Sequence, residues 1–422
     1  MVLFFLTGFI FIKGYCQTNN YFGTSGTLSG NVWSTNPAGP YTSAFNTTGG
    51  GIMNFGNTVT SITGASITVA GINATASVSS WTAGGTISNL SNGVITVNVS
   101  GNNYLDMGGT QSFTSSATAG YIKSGTGIWG MAGNTYGGGF TLSEGTIVAR
   151  GNNAFGSGLV TLNGGVIASA AARNFTSPTS IVVGGNIQFG EIMANISNLL
   201  NNSNTLTFAD NISLGSSNRT FTVGNQGLHT FSGIISGNSG VGLDFNSNGN
   251  SGTTGGFTLS GANTYSGTTS VSGIQLNIST VDALGATSAG TTINSGASLR
   301  LSFSGGNQTY NAEPLTINGA GIGTSVGALR HVTNTILTYS GAITLGSAAS
   351  IQSAGGGTLI TTGGINGSYD LTIGGASSIS VNTIGISQIT SLTKDGAGTL
   401  TLTAQNTYTG LTTVSAGTLR LN

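Results

Sequence analysis

The chain has 422 residues, among them 73 Gly and 4 Pro; 4% are charged, the net charge is 0 and 37% are hydrophobic. Disorder is excluded, because disordered chains combine low hydrophobicity with high net charge. A basic patch for nucleic acid or anionic lipid is excluded as well, so no nucleic-acid partner is expected.

Residues 1–12 are almost wholly apolar and are followed by Lys13 and Cys16. Too short to span a membrane, they read as the apolar part of a signal peptide, 1–16, with cleavage near Gln17. The basic start of such peptides is missing, so a true start further upstream is expected. Cys16 is the only cysteine, so the mature chain is expected to have no disulfide and no thiol chemistry; Lys13 and Tyr15 fit a lipid-attachment site poorly. Residues 17–57, with Trp33, Pro37 and Pro40, lack clean alternation and read as an N-terminal cap and first coil, since a stacked β structure needs its open end covered.

From 58 to 422 the pattern is that of a β-solenoid. Short strands are expected at 66–69, 86–90 and 94–99, and the alternation returns in L-T-F (206–208), L-R-L-S-F (299–303) and L-T-I (315–317). The one helix candidate is 192–200, with Met193, Ile196, Leu199 and Leu200 near helical spacing; it reads equally as a loop bulging from the solenoid. Coils of ~20 to 30 residues give roughly 14 to 20 coils, and at ~4.8 Å between strands a rod roughly 65 to 95 Å long.

The sharpest pattern is 392–422, LTKDGAGTLTLTAQNTYTGLTTVSAGTLRLN. Leu400 and Leu402 alternate with threonines, as do Leu419 and Leu421 with Thr418 and Arg420, which points apolar side chains to one face of a strand. N-T-Y-x-G occurs three times, as Asn134, Tyr136 and Gly138, as Asn263, Tyr265 and Gly267, and as Asn406, Tyr408 and Gly410. Lys123, Gly125 and Gly127 precede the first copy as Lys394, Gly396 and Gly398 precede the third. The first two copies run on into A-F-G (154–156) and A-L-G (283–285), each alanine 18 residues after its tyrosine (154 − 136 and 283 − 265). Such shared spacing marks a repeat protein with copies near 121–173, 243–303 and 392–422. The last copy is incomplete, stopping after T-L-R-L.

The combined pattern, K-x-G-x-G-T-L-x-L-x-x-x-N-T-Y-x-G-x-T-x-V-x-x-G-T-L-x-L, resembles the autotransporter-associated β-strand repeat of bacterial passenger domains. The third copy matches almost throughout; the first has one residue fewer between Lys123 and Asn134, and the second lacks the lysine. The resemblance implies an all-β fold, a right-handed parallel β-helix (β-solenoid), secreted or held at a bacterial cell surface, and no particular activity. The sequence has no pattern of long alternating strands for an outer-membrane barrel. Export and membrane attachment are therefore expected through a part of the protein not present here.

Little in the chain points to chemistry. Asn134, Asn263 and Asn406 are expected to bond backbone at turns, with the tyrosines packed beside them, because the copies are too far apart to form one site. Lys123 and Lys394 recur at one motif position, which favours a structural or solvated role. Of the nine acids only Asp370 and Asp395, 25 residues apart, are spaced to meet on adjacent coils. His229 and His331 lack neighbours at metal-ligand spacing, and the glycine pairs lack the aspartate of a calcium repeat. No enzyme activity, cofactor or metal is expected.

The expected function is that of a secreted or cell-surface scaffold or stalk, adhesin-like. It would bind glycans or cell-surface and matrix components through stacked Thr, Asn and Ser rows, or present a neighbouring domain. Two rivals stand beside it. One is a β-helix polysaccharide lyase or hydrolase, which requires acids and arginines to converge on one face. The other is a set of repeats that mainly promotes secretion of a larger passenger.

Overall fold

The computed structural model describes residues 94–106, 120–191 except 132, 135, 177 and 179, and 203–422 except 324, together with Ser112–Phe113 and short segments before residue 90. The expected leader with Cys16 and the helix candidate at 192–200 lie outside the described residues. Within them every regular element is a strand, and no helix occurs.

The strands stack as a parallel β-solenoid of about 14 turns. One turn consists of Leu315–Gly319, Leu329–His331 and Ile336–Tyr339. The next strand, Ile343–Ser353, bends around a corner, so its first half pairs with Leu315–Gly319 and its second half with Leu329–His331. Thr358–Asn366 then continues the turn on Ile336–Tyr339. In this part a coil takes 21 or 22 residues, the separation of Ile343, Ile365 and Ile386 in register. At ~4.8 Å per coil the stack is ~67 Å long, the lower end of the expected range, because several coils carry insertions.

Parallel sheets need both faces covered, and the wrapped chain solves this for its inner face. Phe221, Phe245, Val271, Ile293, Ile317 and Leu345 lie in register as one buried apolar column. A second column is aromatic. Phe155, Phe175, Phe208, Phe231 and Phe257 follow one another at centroid distances of 4.9, 5.0, 5.4 and 5.8 Å, within the range of favourable ring contacts. Outward positions carry mostly hydroxyls and amides instead. Thr220, Asp244, Ser270, Thr292, Thr316, Thr344, Asn366 and Ser387 form one outer row in register.

The strand Val94–Val99 has the bounds expected from its alternation, and Thr86–Asn89 and Ile67–Val69 each fall within a residue of theirs. In the expected cap, Asn19–Phe22 pairs in parallel with Ile52–Phe55 and antiparallel with Trp33–Ser34, which forms the edge of its sheet.

Candidate functional site

The N-T-Y-x-G motif is a junction between three successive coils. Asn263 is 4% exposed. Its Oδ1 accepts the Ile235 N–H of the preceding coil at 2.7 Å, and its Nδ2 donates to the Ala283 carbonyl of the following coil at 2.5 Å. One amide thus satisfies a buried donor below and a buried acceptor above, groups that are costly to leave unpaired. Asn134 repeats the upper half of this bridge, Nδ2 donating to the Ala154 carbonyl. Asn406 repeats the lower half, accepting the Ile386 N–H at 2.8 Å, while its Nδ2 turns to Ala404 of its own coil.

The 18-residue step from tyrosine to alanine now has a physical reason: A-F-G and A-L-G lie one coil on and cover the N-T-Y segment. Gly285 has φ +84°, and a Cβ there would stand 2.5 Å from the Tyr265 carbonyl oxygen and 3.0 Å from its ring; Gly156 meets Tyr136 in the same way at φ +68°. Only glycine combines that backbone with that clearance. Tyr136 and Tyr265 are fully buried, and Tyr265 and Tyr408 each share a hydrogen bond of 2.8 Å with the threonine hydroxyl four residues on. Gly267, Gly398 and Gly410 press against the backbone of the preceding coil, and Gly138 closes the first motif.

Lys394 and Lys123 are buried and tie the turn of one coil to the next. Lys394 Nζ donates to the carbonyls of Asp395, Gly396 and Ala416 at 2.8, 2.7 and 3.1 Å. Lys123 Nζ reaches Ser124, Gly125 and, one coil on, Glu144. Burial pushes Lys123 down to about 8, with Glu144 opposing the shift. Gly396, at φ +70°, curls the turn around the ammonium. The second copy has Ser251 at the lysine position, buried and bonded to Ser247 at 2.6 Å.

The acid pair of interest does not form. Asp370 pairs with Ser391, 21 residues on, so Asp395 lies four residues further along the strand, ~13 Å away. That exceeds the ~5 to 10 Å between paired acids of glycosidases. Asp370 accepts from the Ser391 hydroxyl at 2.7 Å, and Asp395 from the Gly396 N–H at 2.7 Å. Among the described residues no three His, Cys, Asp or Glu side chains gather to hold a metal.

Three titratable groups outside the repeat motif are also buried. His229 accepts the Leu206 N–H at Nδ1, so Nε2 donates to Asn225 Oδ1, both at 3.1 Å; burial pushes it down to about 3. His331 lies on hydroxyls of Ser353 and Thr333, and burial lowers its pKa too. Glu313, 1% exposed, accepts from Thr291 Oγ1 at 2.8 Å, while its Oε2 makes no hydrogen bond. Burial pushes Glu313 up to about 7, and the Tyr310 and Tyr339 rings stack beside it at 5.4 Å. These groups are dispersed through the interior and converge on no open site.

Comparison with known proteins finds a family match, which falls on the motif-bearing regions. The family model for the passenger-associated-transport-repeat matches residues 122–149, 249–273 and 392–421. No curated protein and no solved structure matches the chain. Repeats of this family imply secretion or surface localisation in bacteria. The chain is a parallel β-solenoid in which three regions match the passenger-associated-transport-repeat model, consistent with an autotransporter-associated repeat protein.

Proposed function

We propose that the chain is the stalk of a passenger-like surface protein, exported behind the 1–16 signal peptide and cleaved near Gln17. The carrying observation is that each asparagine of the repeat motif bonds backbone of a neighbouring coil, which gives the motif a mechanical role and leaves the outer rows for contact. The antiparallel Trp33–Ser34 edge supports a cap over 17–57. The stacked hydroxyls and amides outside support an adhesive surface of many weak contacts, or the display of a neighbouring domain.

The test is an epitope inserted in the exposed turn at Gly249 in the native host. Detection on intact cells, with a processed N-terminus near Gln17, supports export and display. Signal only after lysis contradicts both. Removal of 392–422 separates the export-promoting reading from the stalk: lowered export with unchanged adhesion favours the former.

A further inference from the structure

The outer row on the face formed by Gln275–Ile278, Ser298–Leu301, Leu329–His331 and the second half of Ile343–Ser353 breaks the rule of hydroxyls and amides. Its successive members in register are Asn277, Arg300, Arg330 and Gln352. Two arginines therefore stand directly over one another, one strand spacing apart, in a chain with only nine basic residues. Like charges directly opposite each other destabilise a sheet. Among the described residues no carboxylate pairs with either guanidinium; Arg300 Nη1 donates to Gln275 Oε1, and Arg300 Nε is buried without a partner.

The wall beside this row is also irregular. Ile317 and Leu345 are in register 28 residues apart, the extra length being a hairpin of Gly321–Ile322 and Ser325–Val326. The hairpin folds onto Ser298, whose hydroxyl donates to the Gly327 carbonyl at 2.8 Å and accepts the Ile322 N–H at 3.0 Å. Ser298 lies on the same outer side as Arg300, two residues before it, and the hairpin buries it completely while Arg300 and Arg330 stay half-buried. Gln352 also lines a groove of about 460 Å³, together with Ala320, Ser350, Thr372 and Asp395.

We propose that Arg300 and Arg330, with Gln352 extending the row, bind the oxyanion groups, carboxylate or sulfate ester, of an acidic polysaccharide laid along the solenoid axis. Guanidinium forks match the two oxygens of such groups. A polymer with an anion on successive residues meets both forks at once, whereas a free ion meets one. This names the ligand class for the adhesive part of the stalk reading and rests on it.

The experiment uses the purified full chain on surfaces coated with dextran sulfate, polygalacturonate or unmodified dextran. Binding to one or both acidic polymers and not to dextran is expected, weakening as salt rises. The double variant R300Q/R330Q, with an unchanged melting curve, is expected to bind roughly tenfold less or weaker still, and R300K/R330K to fall between, keeping charge but losing the fork. Equal binding by R300Q/R330Q overturns the proposal. So does the absence of acidic-polymer binding at low salt, as would a preference for inorganic sulfate over the polymers or equal affinity for duplex DNA. Surface display of the epitope-tagged chain is scored independently, so failure here and failure of the stalk reading remain distinguishable.

Discussion

Replacement of Asn263 by alanine tests the junction most sharply. The wild-type amide serves the Ile235 N–H and the Ala283 carbonyl, and alanine leaves both buried groups without their partner. An orphaned buried donor or acceptor costs about 1–3 kcal/mol. The carbonyl is the more tolerant of the two, so the loss should be about 2–4 kcal/mol in local stability. Coils stack by nearest-neighbour contacts, so the effect should centre on these coils. Hydrogen exchange at the Ile235 amide reads it directly: a loss of 2 kcal/mol corresponds to about thirtyfold faster exchange. Amides near Ile386 should be unaffected. Asn406→Ala, whose Nδ2 bonds only its own coil, should cost about 1 kcal/mol. Asn263→Asp should be worse than alanine at neutral pH, since a carboxylate would face the Ala283 carbonyl, and should recover in acid as the protonated acid regains a donor. A change below about threefold at Ile235, or equal acceleration everywhere, would refute the bridge.

The remaining predictions concern the interior. Gly285→Ala should cost roughly 2–4 kcal/mol, combining left-handed backbone strain with the contact on Tyr265, whereas Gly306→Ala, at φ +87° with nothing within 4 Å, should cost only the backbone part; denaturant midpoints decide between them. His229 is held neutral down to about 3, below its ordinary 6.5, so the unfolded chain binds the proton first. Its contribution to stability is full above pH 6.5 and is lost as pH falls towards 3, by about 4–5 kcal/mol in total; His229→Gln should abolish that slope in pH-dependent denaturation. Glu313 has the opposite sign. Its folded pKa of about 7 lies above the ordinary 4.5, so its contribution is full below 4.5 and lost as pH rises through 7, and Glu313→Gln should flatten that window.

The alternation of Leu400 and Leu402 and the spacing of the Asn-Thr-Tyr copies were enough to recognise strands that must stack, because side-chain period and repeat spacing are written directly in the chain. What spacing alone does not carry is register. Asp370 and Asp395, 25 residues apart, look ready to stack, but the local coil takes 21 residues and slides them apart. The 18-residue step to Ala283 was visible, yet its meaning required knowing that it lands on the next coil over Asn263. Lys123 and Lys394 gave no sign of burial, since their partners are backbone carbonyls with no side-chain signature. The same holds for Glu313 and His229, which belong to no repeated motif. The Arg300–Arg330 row was invisible because the hairpin insertion changes the coil length just before Arg330.

The stalk reading depends on the outer row rising one strand spacing per coil, and paired spin labels measure that rise. With Cys16 replaced by serine, cysteines at Thr220 and Ser387, seven coils apart in one row, should lie ~34 Å apart at the backbone, and those at Asp244 and Thr344, four coils apart, ~19 Å. Two narrow distributions in that ratio are the expected result. Equal or inverted distances, or broad distributions for both pairs, would contradict a continuous solenoid and with it the stalk.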